Sequence, residues 1–184
     1  MKFAKQMIAT AMAIAMCGCG GTKSDNPLFN EFTAPFGIAP FAEITIENYR
    51  EGLLKGMEEQ KAEIEAIATN SAAPTFENTI VALDQSGELL RKVRGTFGPL
   101  SSSNSTDEMR ALEKELSPMF SAHSDDMYMN EKLFARVKSV YDAQQSLNLN
   151  PEQKKVLENI YKRFVKSGAE LNDEQKAKLR ELNK

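Results

Sequence analysis

The chain has 184 residues, of which 41% are hydrophobic and 27% charged, and its formal net charge is −3. Phosphate binding depends on clustered cations, so this acidic balance argues against nucleic acid as a partner. The two cysteines, Cys17 and Cys19, are separated by one residue and would close too small a loop for a disulfide. A packed core must therefore stabilise the folded chain.

The first nineteen residues have the pattern of a bacterial lipoprotein signal. Two lysines precede a ten-residue apolar run, which has the length of a signal-peptide core and half of that needed to span a bilayer. Gly18 places a small residue before Cys19, whereas the other cysteine follows a bulky methionine. We therefore expect a signal peptide over residues 1–18 and lipidation of Cys19. The protein would then be exported and membrane-anchored, facing the periplasm or the cell surface. The alternative is an ordinary signal peptide cut nearby.

The segment that follows predicts a tether and then a strap. Residues 19–27 are small and polar, which is typical of a flexible linker, so the folded domain is expected over residues 28–184. Pro35 and Pro40 block helix formation, which predicts an extended strap up to residue 44. Its large apolar side chains are expected to pack on a helical body: Phe29, Phe32, Phe36, Ile38 and Phe41. Recruitment of a partner by exposed rings is the alternative, and core packing is the commoner fate of such residues.

The remainder has apolar residues at helical spacing and no segment that alternates with period two. This predicts an all-α bundle of about six helices preceded by the strap. The first helix is expected over about residues 46–69, with Thr45 as its N-cap. The second is expected to be a long rod that begins after Pro74, passes through Gly87 and ends at Gly98. Another helix should cross close to Gly87, because it lacks a side chain there.

The later helices each begin at a residue whose side chain can cap them. The predicted caps are Ser105, Asn130, Asn150 and Asn172. Glu108 would complete a capping box in the third helix, which Pro118 would kink. Leu179 and Leu182 continue the last apolar face up to the end without a stop signal, so we expect a truncated helix.

Four blocks of residues carry a resemblance to a known family. They are Ala-Pro-Thr-Phe-Glu-Asn-Thr-Ile at 73–80, Glu-Lys-Glu-Leu-Ser-Pro at 113–118, Leu-Phe-Ala-Arg-Val at 133–137 and Tyr-Lys-Arg-Phe-Val-Lys-Ser-Gly-Ala at 161–169. In order and spacing they resemble the N-terminal helical part of the thimet-oligopeptidase-like zinc peptidases, and most closely the bacterial peptidyl-dipeptidases. The resemblance covers about Pro27 to Lys184.

The resemblance implies part of a larger helical peptidase fold, with this region forming one wall of a deep channel. Short peptides would be cut there near their C-terminus. Members of the family bind Zn²⁺ through two histidines of a His-Glu-x-x-His helix and a later glutamate. This chain has one histidine, so we assign it no catalytic residue and no metal ligand. Zinc is implied only for a missing catalytic half, and this chain alone is expected to be inactive.

For the remaining polar residues we favour structural or solvated roles over binding or catalytic ones. His123 lies on an apolar stripe, which is more typical of a hydrogen-bonded structural histidine than of a ligand. Asp125 and Asp126 could attract a cation, but adjacent carboxylates are usually a solvated helix end. Two basic clusters could meet a peptide carboxylate or an anionic lipid surface, and we favour solvated helix faces. These clusters are Arg91-Lys92-Arg94 and Lys162-Arg163-Lys166.

Two hypotheses of function follow. In the first, the chain is the N-terminal wall of an exported, lipid-anchored zinc peptidase that releases dipeptides from the C-terminus of short peptides. Its partners would be the catalytic half, the peptides and, through the lipid, the membrane. In the second, it is a freestanding helical lipoprotein that acts as a binding or scaffold module.

Overall fold

The computed structural model describes residues 24–183, so the predicted signal peptide, Cys19 and the first part of the predicted tether lie outside it. Over this range the chain is helical and contains no strand, as predicted. Nor does any helix in this range combine the length and apolar character needed to cross a bilayer. The helices are α1 (Ile46–Ala68), α2 (Ala82–Gln85), α3 (Glu88–Ser103), α4 (Asp107–Tyr128), α5 (Glu131–Asp142), α6 (Pro151–Lys166) and α7 (Asp173–Leu182).

Most helix starts follow from side chains within three residues of the cap. At the start of α1 the hydroxyl of Thr45 accepts a hydrogen bond from the backbone N–H of Asn48, whose side chain accepts one from Thr45. The same reciprocal pairing begins α6 at Asn150 and α7 at Asn172. Asn130 caps α5 by accepting from a backbone N–H. These four predicted caps are confirmed.

The predicted capping box of the third helix is wrong by one residue. Helix α4 is capped by Thr106, whose hydroxyl accepts a hydrogen bond of 3.2 Å from the backbone N–H of Met109. The hydroxyl of Ser105 is engaged elsewhere, because it accepts from the guanidinium of Arg110 at 3.0 Å. The helix then continues through Pro118 to Tyr128.

The predicted second rod is interrupted at Gly87. A π-helical turn, Phe76–Val81, leads into α2, and α3 begins after Gly87. Gly87 has φ of 72° and ψ of 35°, a left-handed conformation that glycine adopts without a steric penalty. Its backbone N–H donates to the carboxylate of Glu63 in α1 at 2.6 Å. The apolar spacing continues through Gly87 and so does not reveal this turn. Helix α3 also extends past Gly98, the predicted end, to Ser103.

The helices enclose two apolar clusters, and α1 contributes to both. The first cluster joins the N-terminal half of α1 to α3 and α4, and it includes the fully buried Leu28 from the strap. The second joins the C-terminal half of α1 to the π-helical turn, α5 and α6. This arrangement places the middle of α1, around Gln60, between the two clusters.

The strap is only partly packed, which corrects the prediction for its aromatic residues. Phe32 packs against the first cluster, and Leu28, which is not among the predicted core residues of the strap, is fully buried. Phe36, Ile38 and Phe41 are exposed instead. Two short 3-10 turns, Pro27–Phe29 and Pro35–Gly37, replace part of the expected extended chain.

The last residues of the predicted tether are fixed to the domain. Asn26 is buried, and its side-chain amide donates to the backbone carbonyl of Asn48 at 3.0 Å and to the carboxylate of Glu51 at 2.9 Å. Its side-chain oxygen accepts from the backbone N–H of Leu28. Between Ser24 and Asn26 the chain is therefore an ordered part of the domain, because its polar groups are paired with α1.

Candidate functional site

The two predicted basic clusters meet at one cavity, although they are about seventy positions apart in the sequence. The cavity has a volume of about 300 Å³ and is bordered by α1, α3, α4 and α6. Arg94 comes from the first cluster and Arg163 from the second, and His123 lies on the wall between them. Gln60 of α1 also lines it. The tertiary structure thus assembles a basic site from side chains that the sequence presents separately.

Arg94 and Arg163 are both held by aromatic rings. The guanidinium carbon of Arg94 lies 4.9 Å from the ring centroid of Phe120, and that of Arg163 lies 4.7 Å from the centroid of Tyr128. Within residues 24–183 neither guanidinium forms an ion pair with a carboxylate. A stacked guanidinium keeps its edge donors available, so these two groups could bind an anion bidentately.

The other basic residue at this cavity, Arg91, has a structural role. Its guanidinium donates to the backbone carbonyls of Gln85 at 2.9 Å and of Ser86, the groups left without partners where α2 ends. Neighbouring Lys92 donates to the carbonyl of Asn30 at 2.5 Å, and its partial burial lowers the pKa of its ammonium. The interpretation of this cluster as a solvated helix face is therefore wrong for Lys92, which is partly buried, whereas Arg91 is exposed as predicted although its guanidinium is hydrogen-bonded.

His123 is hydrogen-bonded, as the structural interpretation predicted. Its Nε2 lies 2.7 Å from the side-chain oxygen of Gln60. An amide oxygen can only accept, so Nε2 carries the proton in this arrangement. Burial lowers the pKa of His123, the nearby cations Lys61 and Arg94 lower it further, and Asp126 opposes them. The ring is therefore neutral near pH 7 and connects α4 to the middle of α1.

Asp125 and Asp126 both contact the last helix, and their interpretation as a solvated helix end holds for the exposed Asp126 but is wrong for Asp125. Asp125 is buried, and its carboxylate accepts a hydrogen bond of 2.8 Å from the side chain of Asn183. Asp126 faces Arg180 of α7 at 3.7 Å. Across the described part of the chain, no three His, Cys, Asp or Glu side chains are grouped to hold a metal. A site of two histidines and a carboxylate does not fit residues that include a single histidine.

Sequence reasoning missed two polar residues that organise the site and its surroundings. Gln60 bonds to His123 and approaches Ser86, with its amide nitrogen 3.4 Å from the Ser86 hydroxyl. Arg136 is buried in α5 and donates to the carbonyls of Asn70 and Ala72. Both interrupt an apolar stripe at helical spacing, and that interruption is the signal that could have identified them.

Comparison with known proteins gives a consistent result over most of the chain. The profile of the neurolysin/thimet oligopeptidase N-terminal domain matches residues 51–176. A dipeptidyl carboxypeptidase of Escherichia coli is 40% identical over 158 residues, which cover 86% of this chain and 23% of the relative. The Salmonella typhimurium protein of the same name is 39% identical over 160 residues, covering 87% of this chain and 24% of the relative.

More distant relatives match the same region. An oligopeptidase A of Salmonella typhimurium is 25% identical over 157 residues, which represent 85% of this chain and 22% of the relative. The chain thus spans less than a quarter of the length of each of these three relatives.

Proposed function

Because this chain belongs to the neurolysin/thimet oligopeptidase family, we propose that it forms the N-terminal channel wall of a zinc peptidase that releases dipeptides from the C-terminus of short peptides. The observation that carries the proposal is the 40% identity to a dipeptidyl carboxypeptidase over 86% of this chain. Relatives named oligopeptidase A are only about 25% identical, which favours the activity named for the dipeptidyl carboxypeptidases.

The residues of this chain indicate which roles it and the remainder of the peptidase would have. Zinc would supply a Lewis acid and an activated water, and it needs histidine and carboxylate ligands that these 184 residues cannot provide. The ligands and the general base would come from the remainder of the peptidase. This chain would contribute shape and charge to the channel, and alone it would leave peptides intact.

The arginine-lined cavity gives this wall a place to attract peptide carboxylates. Arg94 and Arg163 point stacked guanidinium groups at the same space, and only one acidic residue, Asp84, is among the described residues that line it. In the complete enzyme, replacing both arginines with alanine should raise KM for acidic peptides more than for neutral ones, with little change in kcat. Exposed Lys166, in the same helix as Arg163, is the matched control. Equal effects on neutral and acidic peptides would contradict this role.

Export belongs to the same proposal. The apolar run before Gly18 and Cys19 supports a lipoprotein signal, and a lipid on Cys19 would hold the peptidase at the membrane on its periplasmic or outer side. Ser24, only a few residues further along the sequence, donates a backbone hydrogen bond to the side chain of Asn30. A short connection would keep the channel close to the bilayer.

The decisive experiment is a peptidase assay on the complete gene product and on this chain in parallel. Blocked tetrapeptides are incubated with each protein and Zn²⁺, and released dipeptides are measured with and without a chelator. We expect chelator-sensitive dipeptide release by the complete product and none by this chain. A complete product that binds no zinc and leaves the peptides intact would instead favour the freestanding helical module.

A further inference from the structure

The strap carries an exposed apolar projection that the helical body does not use. We define the strap knob as residues 35–41, Pro-Phe-Gly-Ile-Ala-Pro-Phe. Within it the exposed fraction is 100% for Phe36, 55% for Ile38 and 45% for Phe41. Three large apolar side chains exposed within six residues form a patch of the kind that marks an interaction surface.

The backbone of the strap knob holds Phe36 in an unfavourable conformation. Phe36 has φ of 61° and ψ of 17°, and Gly37 follows with φ of 65°. The left-handed region is routine for glycine and disfavoured for a phenylalanine, whose Cβ approaches the backbone. Within residues 24–183 the side chain of Phe36 is fully exposed, so burial does not offset the cost of this conformation. Backbone strain of this kind is usually retained where the conformation has a function. Here the strained conformation leaves the ring of Phe36 fully exposed, away from the domain.

The strap knob projects from a fixed base. Before it, Leu28 is fully buried and Asn30 receives a hydrogen bond from Lys92 of α3. The ammonium of Lys92 also lies 4.3 Å from the ring centroid of Phe32. Within the knob, Ala39 is buried. The segments that flank the exposed side chains are therefore anchored to the domain, which reduces the backbone entropy lost on binding.

The surroundings of the strap knob are acidic. Ile38 borders a groove of about 500 Å³ that is also lined by Asp25, Glu31 and Glu43. These three carboxylates are exposed, and none forms an ion pair within the described part of the chain. A complementary partner would offer an apolar recess for the rings and cationic side chains around it.

The acidic surroundings distinguish three possible binding partners of the strap knob. An anionic bilayer surface would repel the carboxylates, so a membrane is disfavoured. A symmetric contact with a second copy would bring two acidic rims together, which is also unfavourable. A remaining candidate is the rest of the same peptidase, since the curated dipeptidyl carboxypeptidases are about four times as long as the region matched here.

We propose that the strap knob docks Phe36, Ile38 and Phe41 into an apolar, basic-rimmed recess on the remainder of the peptidase and so fixes this wall to the catalytic part. The inference rests on the proposed function, because it needs a further part of the enzyme to dock against. It adds the surface through which the two parts are joined.

Replacement of Phe36 by glycine tests this proposal because different results are expected in this chain and in the complete enzyme. In this chain, Phe36→Gly removes the disfavoured conformation, so the midpoint of thermal unfolding should rise or stay unchanged. In the complete enzyme it removes the docked ring, so the strap should be cleaved by a protease about tenfold faster than in the parent. Met119→Ala, which shortens an exposed apolar side chain of α4, is the matched control and should leave both proteins unchanged.

Several outcomes would overturn the proposal. A fall in the unfolding midpoint of both proteins would mean that Phe36 only stabilises the domain. Unchanged cleavage in the complete enzyme would mean that the rings are not docked. If the parent binds anionic vesicles and the variant does not, the strap knob is a membrane contact instead. If the parent forms a concentration-dependent dimer and the variant does not, the strap knob contacts a second copy. Dipeptide release by the same preparations reports separately on the proposed function, so an active peptidase with an undocked strap contradicts the docking alone.

Discussion

Gly56 of α1 lies directly against the backbone of Leu90 in α3. A Cβ atom at position 56 would come within 2.8 Å of the Leu90 Cα and 2.9 Å of its backbone nitrogen. Backbone cannot yield as a flexible side chain can, so only glycine permits this approach. Helix α1 also lies close to Gly87, as predicted, but the nearest atoms there belong to the flexible side chain of Gln60.

Gly56→Ala should therefore separate α1 from α3 and lower the free energy of unfolding by about 1–3 kcal/mol. Gly95→Ala is the matched control, because a Cβ there meets no atom within 4 Å. Within α3 that change should stabilise the chain by about 0.5–1 kcal/mol through helix propensity. Chemical denaturation measures both, and equal effects at the two glycines would contradict the crossing.

Removal of the Arg136 guanidinium should loosen the connection between α1 and the π-helical turn. Arg136 is 8% exposed and donates to the carbonyls of Asn70 at 2.7 Å and Ala72 at 3.0 Å. Arg136→Met keeps the apolar stem and removes the hydrogen bonds from a charged donor to these carbonyls, at a cost of about 1–3 kcal/mol in the free energy of unfolding. Lys132→Met, at an exposed position of the same helix, should change it by less than about 0.5 kcal/mol. Similar losses in both variants would refute this role.

Stability should fall as the pH drops below the ordinary pKa of histidine. Burial holds the pKa of His123 below 6.5, so just below that pH the unfolded chain binds a proton that the folded chain does not. This contribution is fully present above pH 6.5 and is lost as the pH falls towards the lower folded-state pKa. Denaturation at pH 7.5 and 5.5 should show the decrease, and His123→Gln should reduce it. An identical decrease in the variant would assign it to other groups.

The local stability of α7 should depend on one buried ammonium group. Lys176 of α7 is 5% exposed, and its Nζ donates to the carboxylate of Glu131 at 2.8 Å. Glu131→Gln leaves the ammonium without its counter-charge, so hydrogen exchange in α7 should accelerate. Lys176→Met replaces the charge by an apolar group and should accelerate it less. Lys178→Met, at an exposed position, is the control, and faster exchange in Lys176→Met than in Glu131→Gln would contradict the argument.

Lipidation of Cys19 can be tested in cells. Metabolic labelling with a fatty acid should mark the protein, Cys19→Ala should abolish the label, and Cys17→Ala should retain it. The reason is the small residue before Cys19, which suits cleavage at that position. Label that persists in Cys19→Ala would remove the proposed anchor.

Sequence by itself determined the helix boundaries wherever they depend on neighbouring residues. Four residues each cap a helix by accepting a hydrogen bond from the backbone N–H three positions further on: Thr45, Asn130, Asn150 and Asn172. Such bonds require only the local chain, so the pattern of residues is sufficient. The four blocks of family resemblance likewise needed no coordinates, and the match over residues 51–176 confirms that recognition.

Only the tertiary structure decided which side chains meet. Arg94 of α3 and Arg163 of α6 line one cavity because each places its guanidinium against an aromatic ring of α4, and no spacing in the sequence encodes that arrangement. Phe36 and Leu28 look equally suited to a core, yet one is fully exposed and the other fully buried. Burial depends on what distant segments leave uncovered. The physical reason is that capping is a property of a few consecutive residues, whereas packing is a property of the whole folded chain.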